Sequence, residues 1–402
     1  MNKKFELLAP AGSLEKLKWA CDWGADAIYL GGTNYSLRAN AKNFTIDEIN
    51  EGVLYAHKRG VKVYVTVNIV FHNEDIDGIK NYLIELSKIN VDAIIFSDPL
   101  IIDIVNDNKI NLQMHYSTQG STFNSDAALY LKKQGISRVV LARECSKNDI
   151  KSIIDKTGIE IECFIHGAMC SNISGRCVLS NYFTNRDANR GGCSQVCRFN
   201  FNLYDDDKNK ISSTDNFTIA PKDLSLAEYL KDLMDIGVTS FKLEGRMRSI
   251  YYICTILNVY RKLIDMYLNN SYDELKASKL LKVLYRCANR EVKAQFFNKL
   301  PDHTDQYYSS RKEDSNQDFL GIVLEYDDVL KEAVIEQRNY FKIGDKVTIF
   351  SPLNDDYSFV IKKIINENNE NVDAARHPRE IIRINCDMKV NKNDLMRVNF
   401  LD

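Results

Sequence analysis

Along the first 270 residues, short apolar runs alternate with longer amphipathic stretches, and the alternation repeats eight times. The runs are FELLA (5–9), AIYLG (27–31), KVYVTVN (62–68), AIIFS (93–97), LQMHYS (112–117), RVVLA (138–142), IEIECFIH (159–166) and SFKLEG (240–245). A strand that is apolar almost throughout is buried on both faces, as in a parallel sheet covered by helices. The stretches between, such as SLEKLKWACDWG, TIDEINEGVLYAHKRG and SDAALYLKKQG, have helical periodicity and end in a glycine suited to a helix C-cap. Eight strand–helix units match a closed (β/α)8 TIM-like barrel over residues 1–270, with an open doubly wound sheet as the alternative.

In such a barrel the chemistry sits in the loops after the strands. Those positions are polar in nearly every unit: Asn34 and Arg38, Asn68, Asp98, Ser117 and Gln119, Arg143 and Glu144, His166, and Glu244 with Arg246 and Arg248. The unit after the seventh strand breaks the rhythm. About fifty-five residues (167–222) intervene before the next helix, which is expected to begin near Lys222–Asp223. A long insertion on the active face is usually functional. It carries Cys170, Cys177, Cys193 and Cys197, spaced C-x6-C-x15-C-x3-C, and the segment NRDANRGG with Arg186 and Arg190.

The chain has no feature of a secretory leader at its start, no apolar run long enough to span a bilayer, and a net charge of −2 that gives no overall attraction for nucleic acid. A cytoplasmic location is therefore expected, and in a reducing compartment clustered cysteines bind metal or do redox chemistry more often than they form disulfides. The scattered Cys21, Cys163, Cys254, Cys287 and Cys386 read as packing residues. The spacing of the four clustered cysteines leaves iron–sulfur and structural zinc both open, because only the second pair is tight. A Cys170 nucleophile activated by His166 or His115 is a third reading. No HExxH or G-x-S-x-G occurs.

After the eighth helix (about 249–268) a charged helical stretch (271–290) leads to a polar segment at 301–318 that reads as a linker. From residue 318 to 402 the pattern changes to alternation in FLGIVLEY, EAVIEQR, DKVTIF, SFVIKKII, IIRINC and LMRVNF, which predicts a small antiparallel β-barrel.

ECFIHGAMCSNISGRCVLS, with ELLAPAGSLEKL, GADAIYLGG, YSLRANAKNFT and FKLEGRMRS, resembles the signature of the collagenase-like peptidases of family U32, over residues 6 to about 268. FLGIV, YFKIGDKVTIFSP and LMRVNF extend the resemblance to the members with an added β-domain. Some branches of this family look like hydroxylation proteins in which four cysteines hold a [4Fe–4S] cluster. One serves oxygen-independent ubiquinone synthesis. The other, the tRNA hydroxylation protein P branch, makes 5-hydroxyuridine at the wobble position with prephenate as the implied hydroxyl source, and NYFTNRDANRGGCSQVCRFNF is closer to it. The resemblance implies Cys170, Cys177, Cys193 and Cys197 as cluster ligands. It implies His166, Arg143 and Glu244 in catalysis, and Arg38, Asn68, Gln119, Arg186, Arg190 and Arg246 in substrate binding. It implies tRNA, and a second family member, as partners. A collagenase-like peptidase and a zinc-stabilised scaffold are the alternatives.

Overall fold

The structure, a computed structural model, describes residues 5–37, 43–211, 217–288, 290–309, 316–352 and 354–401. Arg38 lies outside the described residues. The chain divides into two compact units, Met1–Glu313 and Asp314–Asp402.

In the first unit eight parallel strands close on themselves. They are β1 (Glu6–Pro10), β2 (Ala27–Gly31), β3 (Lys62–Val67), β4 (Ala93–Phe96), β5 (Gln113–Tyr116), β6 (Arg138–Val140), β7 (Glu160–Gly167) and, after two further strands in the insertion, β10 (Ser240–Leu243). Each pairs with the next, and β10 closes the ring by pairing with both β7 and β1. The helices α1 (Leu14–Asp22), α2 (Ile46–His57), α3 (Ile76–Lys88), α4 (Leu100–Asp107), α5 (Ser125–Lys133) and α6 (Lys147–Thr157) follow the first six strands. Their starts are written in the sequence: Thr45 and Glu48 form a reciprocal capping box at α2, as do Ser146 and Asp149 at α6. Gly158, at φ +57°, then ends α6 in the left-handed conformation. TIM-like barrel and sequence expectation agree strand for strand.

The barrel lumen is layered. A middle layer is apolar and aromatic: Leu8, Ala27, Tyr29, Tyr64, Ala93, Ile95 and Val140, with Phe164 against them. Toward the N-terminal ends of the strands lies a buried ionic layer. Arg138 reaches Glu6 (2.5 Å), Glu160 (2.9 Å) and Glu162 (3.3 Å), Lys242 reaches Glu162 (2.6 Å), and Tyr64 and Ser240 donate to Glu6 (2.6 and 2.8 Å). Burial alone would raise the Glu6 pKa, yet the Arg138 charge and its hydrogen bonds hold it below the usual value.

The end of the insertion departs from expectation. No helix begins near Lys222–Asp223; instead Phe217–Pro221 (β8) and Asp223–Ser225 (β9) are strands, and helix α8 starts at Leu230 and runs to Ile236. Proline at 221 would not bar a helix beginning after it; the backbone of the segment is taken up by strand pairing instead. Both strands are completed by partners distant in sequence. β9 pairs with the end of β7 and with β11 (Val292–Lys293), and β8 pairs with β12 (Gln306–Ser309). Part of the segment read as a linker is therefore strand, with Tyr307 buried. Helices α9 (Ile250–Leu268) and α10 (Glu274–Cys287) complete the unit.

The second unit is antiparallel. Strands β13 (Phe319–Asp327), β14 (Glu332–Gln337), β16 (Lys346–Phe350), β17 (Tyr357–Val360), β18 (Ile364–Ile365), β20 (Ile381–Asn385) and β21 (Leu395–Val398) form one sheet in the order β17-β16-β21-β13-β14-β20-β18. The two-residue strands β15 (Phe341–Lys342) and β19 (Ala374–Ala375) pair separately. The sheet curls over one apolar core that includes Val323, Ile335, Phe341, Ile349, Ile382 and Met396. Among the described residues its two end strands do not pair, so it is a half-barrel rather than a closed one.

Candidate active site at the barrel mouth

All four clustered cysteines line one cavity at the C-terminal mouth of the barrel. Its floor is lumen: Tyr29, Thr66, Ile95, Phe164 and Lys242. Its walls include Asn68, Gln119, Arg143, Glu244 and Arg246 from the strand ends. None of the four is in a disulfide; Cys170 and Cys193 are exposed, and Cys177 and Cys197 are half-buried. Burial raises the Cys197 thiol pKa, and nearby Cys170 and Cys193 push it the same way, so the three sulfurs lie within coulombic reach. Among the described residues no three His, Cys, Asp or Glu side chains converge closely enough to hold one metal ion.

The insertion is held over the mouth by hydrogen bonds to the strand-end residues. Ser174 donates from its backbone to Glu144 (2.8 Å), and Gln119 donates to the Ser174 carbonyl (2.9 Å). The Asn189 side chain closes a ring on the backbone of Cys177, accepting at 3.1 Å and donating at 3.0 Å. Leu179 N–H donates to the Cys177 sulfur (3.3 Å). Gly175 sits at φ +77°, where a Cβ would lie 3.2 Å from the Gln119 amide nitrogen and 3.5 Å from the Cys170 sulfur. Only glycine takes this conformation without strain.

The arginines of the mouth divide into ties and cavity groups. Arg190 forks onto Asp75 and donates to the Val70 carbonyl (3.0 Å), anchoring the insertion to the β3–α3 loop. Its hydrogen bonds hold the Asp75 carboxyl below its usual pKa. Arg190 lines a neighbouring cleft with Asn34 and Asp75 rather than the cysteine cavity. Arg246 lines the cavity but spends its donors on Ser36 (3.1 Å), the Leu37 carbonyl (3.1 Å) and Asn43 (3.0 Å). Arg186 is exposed and outside the cavity lining. Asn68 accepts from Leu37 N–H (3.3 Å). Arg143 faces the cavity with its guanidinium over the Phe164 ring (4.0 Å), donating to the Ala168 carbonyl (2.6 Å). An Arg190→Ala chain should loosen the insertion by about 1 kcal/mol and speed proteolysis within residues 170–200 roughly fivefold. Limited proteolysis checks this, and an unchanged cleavage rate would show that Arg190 is not the anchor.

His166, expected at the mouth, points elsewhere. Lys242 pairs with Phe164 and Leu243 with His166, so Ile165 is the extra residue of a bulge. The bulge reverses the side-chain alternation and turns His166 out of the lumen, onto α9. There it is buried, with Nδ1 3.3 Å from the Tyr260 hydroxyl and its ring against Tyr252. It lines no wall of the cysteine cavity, and neither does His115, which packs on Tyr64 inside the lumen. The Cys170–His166 and Cys170–His115 dyads are thus not assembled.

Both histidines bear on stability. Burial, aided by Arg248 and opposed by Glu244, pushes His166 down to about 3; burial, with Arg138, Lys242 and Lys62, holds His115 well below its usual value. In the unfolded chain each titrates near 6.5. Below that pH the unfolded state binds protons that the folded state refuses, so folding stability rises with pH and is lost on acidification. Each histidine should cost about 1.4 kcal/mol on going from pH 7.5 to 5.5. Urea unfolding at the two pH values checks this; an unchanged midpoint would mean the rings are protonated in the folded state.

Sequence reasoning missed Lys242, which sat inside a run read as apolar. Its one signal was a lone cation at an inward-facing position of β10.

The comparisons with known proteins agree with this architecture. The model of peptidase family U32 matches residues 12–307, and that of the U32 C-terminal domain matches 315–397. The chain belongs to peptidase family U32. Among its U32 relatives is the tRNA hydroxylation protein P1 of Bacillus subtilis, 45% identical over 99% of this chain and 95% of that protein. The collagenase of Porphyromonas gingivalis is 32% identical over 87% of each chain. The 23S rRNA 5-hydroxycytidine C2501 synthase of Escherichia coli is 36% identical over 69% of this chain and 42% of its own length. Among the described residues no helix is long and apolar enough to cross a membrane.

Proposed function

We propose that this U32 protein hydroxylates RNA, converting wobble uridine of tRNA to 5-hydroxyuridine with prephenate as hydroxyl source, and that Cys170, Cys177, Cys193 and Cys197 hold a [4Fe–4S] cluster. The observation that carries the reading is the set of four cysteines, none in a disulfide, that line one cavity at the barrel mouth. The likeness over nearly the full chain to a protein named for tRNA hydroxylation supports it. The donor set is all sulfur, with no imidazole in the cavity lining. A cuboidal cluster spreads its four ligands over separate irons, whereas a single zinc needs all four sulfurs within about 2.3 Å of one point. Such a cluster supplies one-electron redox chemistry when bound. The protein's own groups supply the rest: the Leu179 N–H hydrogen bond to Cys177 tunes that thiolate, Gln119 and Glu144 fix the ligand loop, and Arg143 and Glu244 face the substrate cavity.

The test is mass spectrometry of tRNA nucleosides from a strain lacking the gene. Loss of 5-hydroxyuridine and its return with the wild-type gene are the expected results. Persistence of the nucleoside, with no related gene covering the loss, would remove the tRNA role. The peptidase reading lacks support from the Cys170–His166 and Cys170–His115 pairs, neither of which is assembled among the described residues.

A further inference from the structure

The floor of the cysteine cavity carries two cations that face the same void. The Lys242 ammonium is 3% exposed, deep in the lumen, and lines the cavity. Among the described residues its hydrogen-bond partner is Glu162 alone, at 2.6 Å. An ammonium has three donors. The other surfaces around it are the Tyr29 and Phe164 rings, 4.5 and 5.2 Å from the nitrogen, which attract a cation but accept no hydrogen bond in its plane. Arg143 stacks on the same Phe164 ring at 4.0 Å. It donates to one carbonyl, it makes no ion pair among the described residues, and its buried Nε has no partner. One aromatic ring therefore carries two cations with donor capacity unspent. Lys242 has Glu162 as counter-charge but two donors to spare, whereas Arg143 has no carboxylate partner among the described residues, which favours an added anion.

We infer that Lys242 and Arg143 form an anion-recognition floor for a small carboxylate, with the RNA base entering above it at the cysteine rim. This rests on the function proposed above and divides its two substrates between two depths of one cavity. Two other described arginines near the mouth already hold protein groups: Arg190 holds Asp75, and Arg246 donates to Ser36, Leu37 and Asn43. An RNA phosphate fits the floor poorly, because a phosphodiester carries a ribose on each side and cannot enter a closed lumen end-on. A terminal carboxylate can. It can take the planar fork of Arg143 along one edge and the Lys242 ammonium on the other.

The experiment titrates the purified full-length protein, iron-loaded under anaerobic conditions, with prephenate, with citrate and with unmodified tRNA. Two variants are compared with the wild type. One is Arg143→Gln. The other combines Lys242→Met with Glu162→Gln, so that no carboxylate is left buried and unpaired. Lys231→Gln, on the exposed face of α8, is the control lysine. Each variant is expected to weaken prephenate binding roughly ten- to hundredfold while tRNA affinity stays within about twofold. Undiminished prephenate binding in both variants overturns the inference, and so does a loss of tRNA affinity in place of carboxylate affinity. If the wild type binds neither carboxylate although deletion abolishes 5-hydroxyuridine, the floor falls and the function stands. If carboxylate binding depends on both cations but deletion leaves the nucleoside intact, the floor stands and the tRNA reading falls.

Discussion

Cys193→Ala is expected to purify with no stoichiometric iron or acid-labile sulfide, against about four of each in the wild type, and to leave tRNA of the deletion strain without 5-hydroxyuridine. The physical argument is that four thiolates share one load. Removing one leaves an iron open to solvent, and outer exposure speeds loss of the rest. Cys193 is exposed and contributes nothing to the core, so the barrel itself should keep its stability within about 0.5 kcal/mol. That separates loss of a ligand from loss of the fold. Cys163 supplies the contrast. Its thiol is buried in β7, where burial first of all raises its pKa well above the usual value, and it is absent from the cavity lining. Cys163→Ala should retain full iron. Iron and sulfide assays with nucleoside mass spectrometry read both variants. Full iron in Cys193→Ala would remove that residue from the ligand set.

Glu162→Ala should be the most destabilising single change in the lumen, by about 3–5 kcal/mol, out of a total near 5–15 kcal/mol for a typical domain. Glu162 is completely buried and serves two cations, Lys242 at 2.6 Å and Arg138 at 3.3 Å. Its removal strands the ammonium between the Tyr29 and Phe164 rings, with no other carboxylate paired to it among the described residues. The pair as a whole need not stabilise the fold, since a buried ion pair barely recovers its desolvation cost. Combining Glu162→Leu with Lys242→Met should therefore recover most of the loss. Urea unfolding of the wild type, Glu162→Leu, Lys242→Met and their combination gives the coupling energy by a double-mutant cycle. A double variant as unstable as the sum of the singles would show that the two charges do not depend on each other.

How much of this was legible differs between residues for physical reasons. The barrel strands were legible because burial on both faces leaves a local mark, an apolar run such as AIYLG or AIIFS. The stretch TIDEINEGVLYAHKRG was legible from its helical periodicity, and the structure adds the capping box at Thr45 that starts it. The segment FTIAPKDLS was misread because its partners, β11 and β12, lie some seventy to ninety residues further on, and pairing at that distance leaves no local pattern. His166 was misplaced by one residue of bulge, which changes the face of everything after it and has no sequence signature here. Of the arginines expected to bind substrate, Arg246 lines the cavity, whereas Arg190 ties down a loop and Arg186 is exposed away from it, because whether a guanidinium holds a loop or faces a cavity depends on its partners in space. The four cysteines needed no such knowledge to be grouped; their convergence on one cavity is what the fold adds.

The pairing of β9 with the end of β7 has a consequence for how such a protein can change. His166 and Gly167 lie opposite Ser225 and Leu224, so the chain leaves the barrel and returns to it at adjacent points of one ladder. To the barrel, everything between those points is a closed excursion whose length it scarcely feels, because the entropy of closing a loop grows only with the logarithm of its length. The excursion therefore behaves as a cassette. Cysteines, arginines and aromatic surface can be lengthened, shortened or exchanged inside it, giving one inherited barrel a new rim without renegotiating the strands beneath.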